Sequence, residues 1–162
     1  MVNTFEKSVS YDAIVIGSGI TGGWAAKELC EKGLKTLMLE RGRDVRHIKD
    51  YPTANLNPWD FEYRLNNTNK ESTENPIRSG TSDESDRMFY VSDKEHPYIQ
   101  HKPFNWIRGY QVGGKSLIWG RQCYRLSDLD FEANIKDGVS IDWPIRYKDV
   151  SGWYDYVERF IG

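Results

Sequence analysis

Gly17-Ser18-Gly19-Ile20-Thr21-Gly22 fits the pattern G-x-G-x-x-G, and an acid, Glu40, stands 21 residues beyond Gly19. Residues of these types at this spacing could hold a pyrophosphate and a ribose. Gly17 is placed to make a tight turn, Gly19 to let backbone approach the pyrophosphate, and Gly22 to let a helix pack closely on a strand. The N–H groups that open the helix at Ile20 and Thr21 would donate to the anion, and the helix macrodipole favours negative charge at that end. Glu40 would accept from the ribose hydroxyls. Its charge would repel a 2′-phosphate, which argues against NADP, although the neighbouring Arg41 keeps that exclusion incomplete. A glycine-rich turn with no ligand is the plain alternative, since such hexamers are common. The turn does not separate FAD from NAD, because both present the same ADP half to it.

The elements needed to position these residues are legible on either side. Tyr11 to Ile16 is a short β-branched apolar run ending at Gly17, the pattern of a strand buried on both faces of a parallel sheet. From Ile20 to Lys32, Ala25, Ala26, Leu29 and Cys30 recur at helical spacing and Gly33 follows as a stop signal. Leu34 to Glu40 reads as a second strand. Residues 11–40 therefore spell a Rossmann-like βαβ unit and an α/β fold.

Beyond it the pattern weakens. Residues 50–87 contain a long polar run of Asn, Ser, Thr, Glu and Asp without apolar period, expected to be a mobile excursion that serves as a lid, an arm or a plain solvated insertion. Residues 108–125 pack four glycines among apolar residues, a turn-rich segment suited to lying close against something. Asp142 is placed to cap a helix with Pro144 in its first turn, and Val150, Trp153, Tyr154, Val157 and Phe160 continue that helix over 145–161.

Composition narrows the classes. A chain of 162 residues with mean hydropathy -0.70 has material for one domain with a sizeable polar loop. A net charge of -2 supplies no attraction to nucleic acid or to an anionic membrane surface. Cys30 and Cys123 stand outside any metal or disulfide spacing, Met1 to Ser10 carries no apolar leader, and no run approaches a membrane span, so the chain is expected to be soluble and cytoplasmic. Aromatic residues at 14% could fill a core or wall a pocket for flat ligands or sugars. His47, His96 and His101 lie in polar, loop-like surroundings that favour surface roles over acid–base work.

A second motif bears on the cofactor. The segment running Arg108-Gly109-Tyr110-Gln111-Val112-Gly113-Gly114-Lys115-Ser116-Leu117-Ile118-Trp119-Gly120 resembles the second conserved segment of the glucose-methanol-choline (GMC) oxidoreductases. Arg108 and Gly109 fall on that family's Arg-Gly, Gly113 and Gly114 on its Gly-Gly, Ser116 on its Ser, and Gly120 on its closing Gly. Trp119 replaces the usual Asn, as in the branch that includes pyranose oxidase and the large subunits of gluconate and fructose dehydrogenases. Glu40-Arg41-Gly42 also resembles a flavoprotein ending of the second strand, and Asp142 to Gly162 is similar to the family's Trp-Pro-Ile segment and following helix. On residues alone, 108–125 could equally be a pair of glycine-rich turns packed in a core.

The resemblance implies FAD bound by Gly17 to Gly22, Glu40, Arg41, Val112, Gly113, Gly114, Ser116, Trp119 and Gly120. It implies non-covalent attachment, because Ile118 stands where the branch can carry a flavin-linked His. The implied chemistry is oxidation of a CH–OH group of a sugar, polyol or other alcohol by hydride transfer to flavin N5, with a possible electron-transfer subunit as partner. The family's catalytic His region has no counterpart here. The chain therefore reads as the truncated N-terminal portion of a two-domain flavoprotein, inactive alone. A flavoprotein of the monooxygenase or desaturase type, or a non-catalytic cofactor-binding module, remains as the alternative.

Overall fold

A computed structural model describes residues 9–75 and 82–162 of the protein. The expectation for the amino terminus therefore lies almost wholly outside the described residues, as do residues 76–81 of the polar run. Two compact units divide the chain, residues 1–119 and 120–162.

The first unit is built on strand β1 (Ala13–Ile16), helix α1 (Ile20–Glu31) and strand β2 (Thr36–Leu39). The strands pair in parallel, with Ala13 opposite Thr36 and Ile16 opposite Leu39. Parallel neighbours need a crossover, and α1 supplies it by packing back on both strands. Its end is closed by Gly33 N–H donating to the Cys30 carbonyl at 2.9 Å and Leu34 N–H to the Leu29 carbonyl at 3.1 Å. The βαβ expectation thus appears as real elements, with each strand beginning two residues later than its pattern.

The expected burial of β1 does not hold. Strand β1 was expected to be buried on both faces, yet only Val15, on the face toward α1, is buried, while Ile14 is 61% and Ile16 85% exposed. Among the described residues one helical layer covers one side of the sheet, and the alternation of side chains along a strand leaves the other side open.

The segment after β2 continues the architecture. Arg43 forms a parallel bridge with Gln111, its N–H donating to the Tyr110 carbonyl at 3.3 Å and its carbonyl accepting from Val112 N–H at 2.9 Å. The glycine-rich segment is thereby tied to the end of β2. Gly42 makes this contact possible, since a Cβ there would lie 2.2 Å from the Gln111 nitrogen.

The polar run holds more structure than its composition advertises. It contains a 3₁₀ turn, Pro58–Asp60, and a short helix α2, Asn69–Glu74. Its described parts are tied to one another by polar groups rather than by an apolar period. Thr53 Oγ1 donates to the Ser85 carbonyl at 2.6 Å, Tyr63 N–H to Glu84 at 2.9 Å, and Asn67 Nδ2 to the Ser82 carbonyl at 2.7 Å. Buried Phe61 and Phe89 add apolar anchors.

In the second unit, helix α3 (Asp128–Asp137) has no counterpart in the sequence reading. It starts on a capping box, with Ser127 N–H and Oγ both donating to Asp130, and buries Phe131 against the Trp143 ring. Helix α4 runs Tyr147–Ile161, two residues later than expected at its start. Asp142 is not its cap. Asp149 accepts from Arg146 N–H at 2.8 Å and closes the first turn, while Asp142 binds the Arg146 guanidinium at 2.6 Å. Pro144 lies ahead of the helix, in the turn whose Trp143 and Ile145 carbonyls Arg146 also bonds. Arg125 spans α4 from outside, donating to Glu158, Asp155 and the Tyr147 hydroxyl. No helix among the described residues is long and apolar enough to cross a membrane.

Candidate functional site

In the turn from β1 to α1, Gly17 and Gly22 carry out the steric roles predicted for them. Gly17 has φ +93°, a conformation that side-chain-bearing residues rarely adopt, and its N–H donates to the Leu39 carbonyl at 2.7 Å. A Cβ on Gly22 would sit 1.9 Å from the Gly17 carbonyl oxygen and 3.4 Å from Val15 Cγ1, so helix and turn could not close on each other with any other residue. Gly19 differs. A Cβ there would meet nothing within 4 Å. Its glycine is therefore not demanded by the protein's own packing, and the open space beside it is what a ligand approaching the backbone would use. Gly19 is also the α1 N-cap; no side chain caps it and no acid occupies the first turn, which leaves the positive end of the helix to an anion from elsewhere.

A cleft of about 280 Å³ opens here, lined by Ile16, Gly17, Gly19, Leu39, Glu40, Arg41, Gly109, Tyr110 and Gly114. That volume lies just below the usual range of small-ligand sites, about 300–1,000 Å³. Its apolar walls come from the strand ends, its floor from glycine backbone, and its charge from Glu40 and Arg41. The Arg41 guanidinium lies 3.7 Å from the centroid of the Tyr110 ring, a cation–π contact that turns it along the wall.

Glu40 is held firmly. Oε2 accepts from Ser18 N–H at 2.8 Å and Ser18 Oγ at 2.6 Å, and Oε1 accepts from Gly42 N–H at 2.8 Å. These donors, with the Ser18 hydroxyl foremost, lower its carboxyl from an ordinary 4.5 to about 2. It is ionised at any physiological pH. Of the about four acceptor sites of the ionised group, Ser18 takes two, both on Oε2, and Gly42 takes one on Oε1.

The second glycine segment reaches the same place. Gly113, at φ +89°, and Gly114 lead into a 3₁₀ turn, Gly114–Leu117, and a Cβ on Gly114 would lie 3.4 Å from Gly19 Cα. Gly113 N–H donates to Ser18 Oγ at 3.1 Å across 95 residues of sequence. Ser116 Oγ closes the turn on the Gly113 carbonyl at 2.7 Å, and Gln111, buried, donates to the Gly114 carbonyl at 3.1 Å.

The structure thus brings Gly17, Gly19, Glu40, Arg41 and Gly114 together as cleft lining, with Ser18, Gly22, Gly113 and Ser116 as their supports. Ile20 and Thr21 form the opening turn of α1, and Val112 lies outside the lining, its N–H bonded to the Arg43 carbonyl. Trp119 is 38% exposed and outside the lining, and Gly120 opens the second unit. Ile16, Leu39, Gly109 and Tyr110 also line the cleft, and Gly42 supports Glu40 through its N–H; none was assigned to the site from sequence. The signal for Gly42 was its place directly after Glu40-Arg41; for Tyr110 nothing in its spacing distinguished it from the other tyrosines. Among the described residues no group of His, Cys, Asp and Glu could hold a metal ion.

Comparison with known proteins gives likenesses over nearly the whole chain. It is 28% identical to the gluconate 2-dehydrogenase flavoprotein of Pantoea cypripedii, over 93% of this chain and 25% of that protein. It is 26% identical to 6′′′-hydroxyparomomycin C oxidase of Streptomyces lividus, over 94% of this chain and 23% of that protein. With the fructose dehydrogenase large subunit of Gluconobacter japonicus it shares 25% identity over 97% of this chain and 28% of the other. No protein-family profile matches the chain. The chain spans about a quarter of the length of these relatives, whose names are those of dehydrogenases and oxidases.

Proposed function

We propose that this chain is the FAD-binding part of a flavin-dependent oxidoreductase of the GMC type, acting on a CH–OH group of a sugar, polyol or related alcohol. The observation that carries the reading is the convergence of two glycine motifs, Gly17 to Gly22 and Gly113 to Ser116, on one cleft beside the ionised Glu40. The names of the three relatives described above, a gluconate 2-dehydrogenase flavoprotein, a hydroxyparomomycin C oxidase and a fructose dehydrogenase large subunit, support the substrate class.

The residues fit the group. The bare α1 N-terminus and the open space at Gly19 suit a pyrophosphate, Glu40 suits ribose hydroxyls, and the Gly113-Gly114 backbone can lie along the cofactor without side-chain interference. When bound, the flavin supplies hydride acceptance. This chain's own residues bind and orient; His47, His96 and His101 are exposed and none lines the cleft, so none is placed here as the base that takes the hydroxyl proton. A second subunit receiving the electrons is part of the same proposal.

The test is cofactor titration of the purified chain with FAD, NAD and NADP, followed by acid precipitation. Expected are saturable quenching of flavin fluorescence, no comparable nicotinamide binding, and all flavin in the acid supernatant. Preferential nicotinamide binding, or flavin that stays with the precipitated chain, overturns the proposal.

A further inference from the structure

Ser18 occupies the first variable position of the glycine hexamer, where the steric rules of the turn ask nothing of the side chain. Its hydroxyl nevertheless makes two directed contacts. It donates to Glu40 Oε2 at 2.6 Å and accepts from Gly113 N–H at 3.1 Å. A serine hydroxyl has a single proton. With that proton committed to a carboxylate, a lone pair is left to face the Gly113 amide, so the acid sets the hydroxyl's direction. On the following peptide unit, the Gly113 carbonyl accepts separately from Ser116 Oγ at 2.7 Å, which closes the turn. The Gly113 N–H and the Ser18 hydroxyl both donate toward Glu40, so these two consecutive bonds polarise each other. Gly113 is also the residue at φ +89° from which the second turn springs, and the turn it starts lies on Gly19.

We propose that Ser18 is a positioning residue, a latch through which Glu40 holds the Gly113-Gly114 turn against the nucleotide-binding turn so that the two walls of the cleft move as one. The consequence for ligand binding rests on the FAD reading; the latch itself does not. Glu40 then serves twice, as an acceptor for the ribose and as the anion that orients the bridge. The arrangement gives the second glycine turn a defined place before any ligand arrives, which lowers the ordering cost of binding.

Two measurements on the 162-residue chain decide it. Hydrogen exchange of the Gly113 amide, without ligand, reads the latch directly; FAD titration reads its effect on the cleft. Ser18→Ala is expected to speed Gly113 exchange and to weaken FAD binding, each by about tenfold, the loss expected for one hydrogen bond to a polarised hydroxyl. Ser18→Thr keeps the hydroxyl and is expected to restore both, which loss of general stability would not do. Should Ser18→Ala fail to fold, Ser18→Cys, with a weak donor and acceptor at the same position, carries the test with a smaller rise in exchange. Unchanged Gly113 exchange in the substituted chain overturns the latch whatever the flavin does. Faster exchange with unaltered FAD binding overturns its role in the cleft. A wild-type chain that binds no FAD sinks the functional reading while exchange still judges the latch.

Discussion

At the scale of single residues, Glu40 and Gly22 are the positions where chemistry and sterics are most tightly specified. Three donors from its own chain hold the Glu40 carboxyl near pKa 2 rather than 4.5. Its folded pKa lies below its unfolded one, so its contribution to stability is complete above about pH 4.5 and disappears as pH falls toward 2. Glu40→Gln is therefore expected to lower the melting temperature at neutral pH, with the gap to wild type closing as the buffer is taken from pH 4.5 to 2.5; a gap that does not vary with pH contradicts the assignment. Gly22→Ala puts a Cβ 1.9 Å from the Gly17 carbonyl oxygen. Backbone is the obstacle, so α1 must move away from the turn. A loss of about 1–3 kcal/mol or more in urea unfolding is expected, and a neutral outcome would mean that helix and turn are not packed as described. Both residues were legible from sequence, because the pattern states why glycine or an acid is needed. Tyr110 was not, since its role depends on meeting Arg41 from a distant segment.

At the scale of elements, β1, α1 and β2 follow their periodicity, and the departures elsewhere have a common origin in polar contacts that carry no period. Helix α3 begins on the Ser127 and Asp130 capping box, a local signal, but its short apolar face around Phe131 was too sparse to register as helical spacing. Ser127→Ala removes the cap side chain and is expected to cost about 1 kcal/mol, seen as reduced helical circular dichroism on heating. The start of α4 moved because Asp149, one turn in, is the acid that bonds the Arg146 amide, leaving Asp142 to the guanidinium. The link from β2 to the glycine-rich segment rests on backbone proximity at Gly42. Gly42→Ala is expected to detach that segment, with Val112 N–H, bonded to the Arg43 carbonyl at 2.9 Å, losing exchange protection. Retained protection would show that the bridge tolerates a side chain.

For the molecule taken whole, the open face of the sheet is the main departure from expectation. Val15 is buried toward α1 whereas Ile14 and Ile16 face outward. Val15→Ala is expected to cost about 2 kcal/mol, while Ile16→Thr, which keeps β-branching at an exposed position, should stay within about 0.5 kcal/mol. Comparable losses at both positions would mean that the second face is covered in solution. The sequence by itself determined the βαβ unit, the sites of its glycines and the acid that follows, because strand and helix periods, tight turns and backbone clearance are local properties of neighbouring residues. Only the tertiary structure decided that Ser18 joins Glu40 to Gly113, that Tyr110 walls the cleft, and that Ile14 and Ile16 lie exposed. Those are facts of proximity between residues as much as 95 positions apart, and no local pattern encodes them.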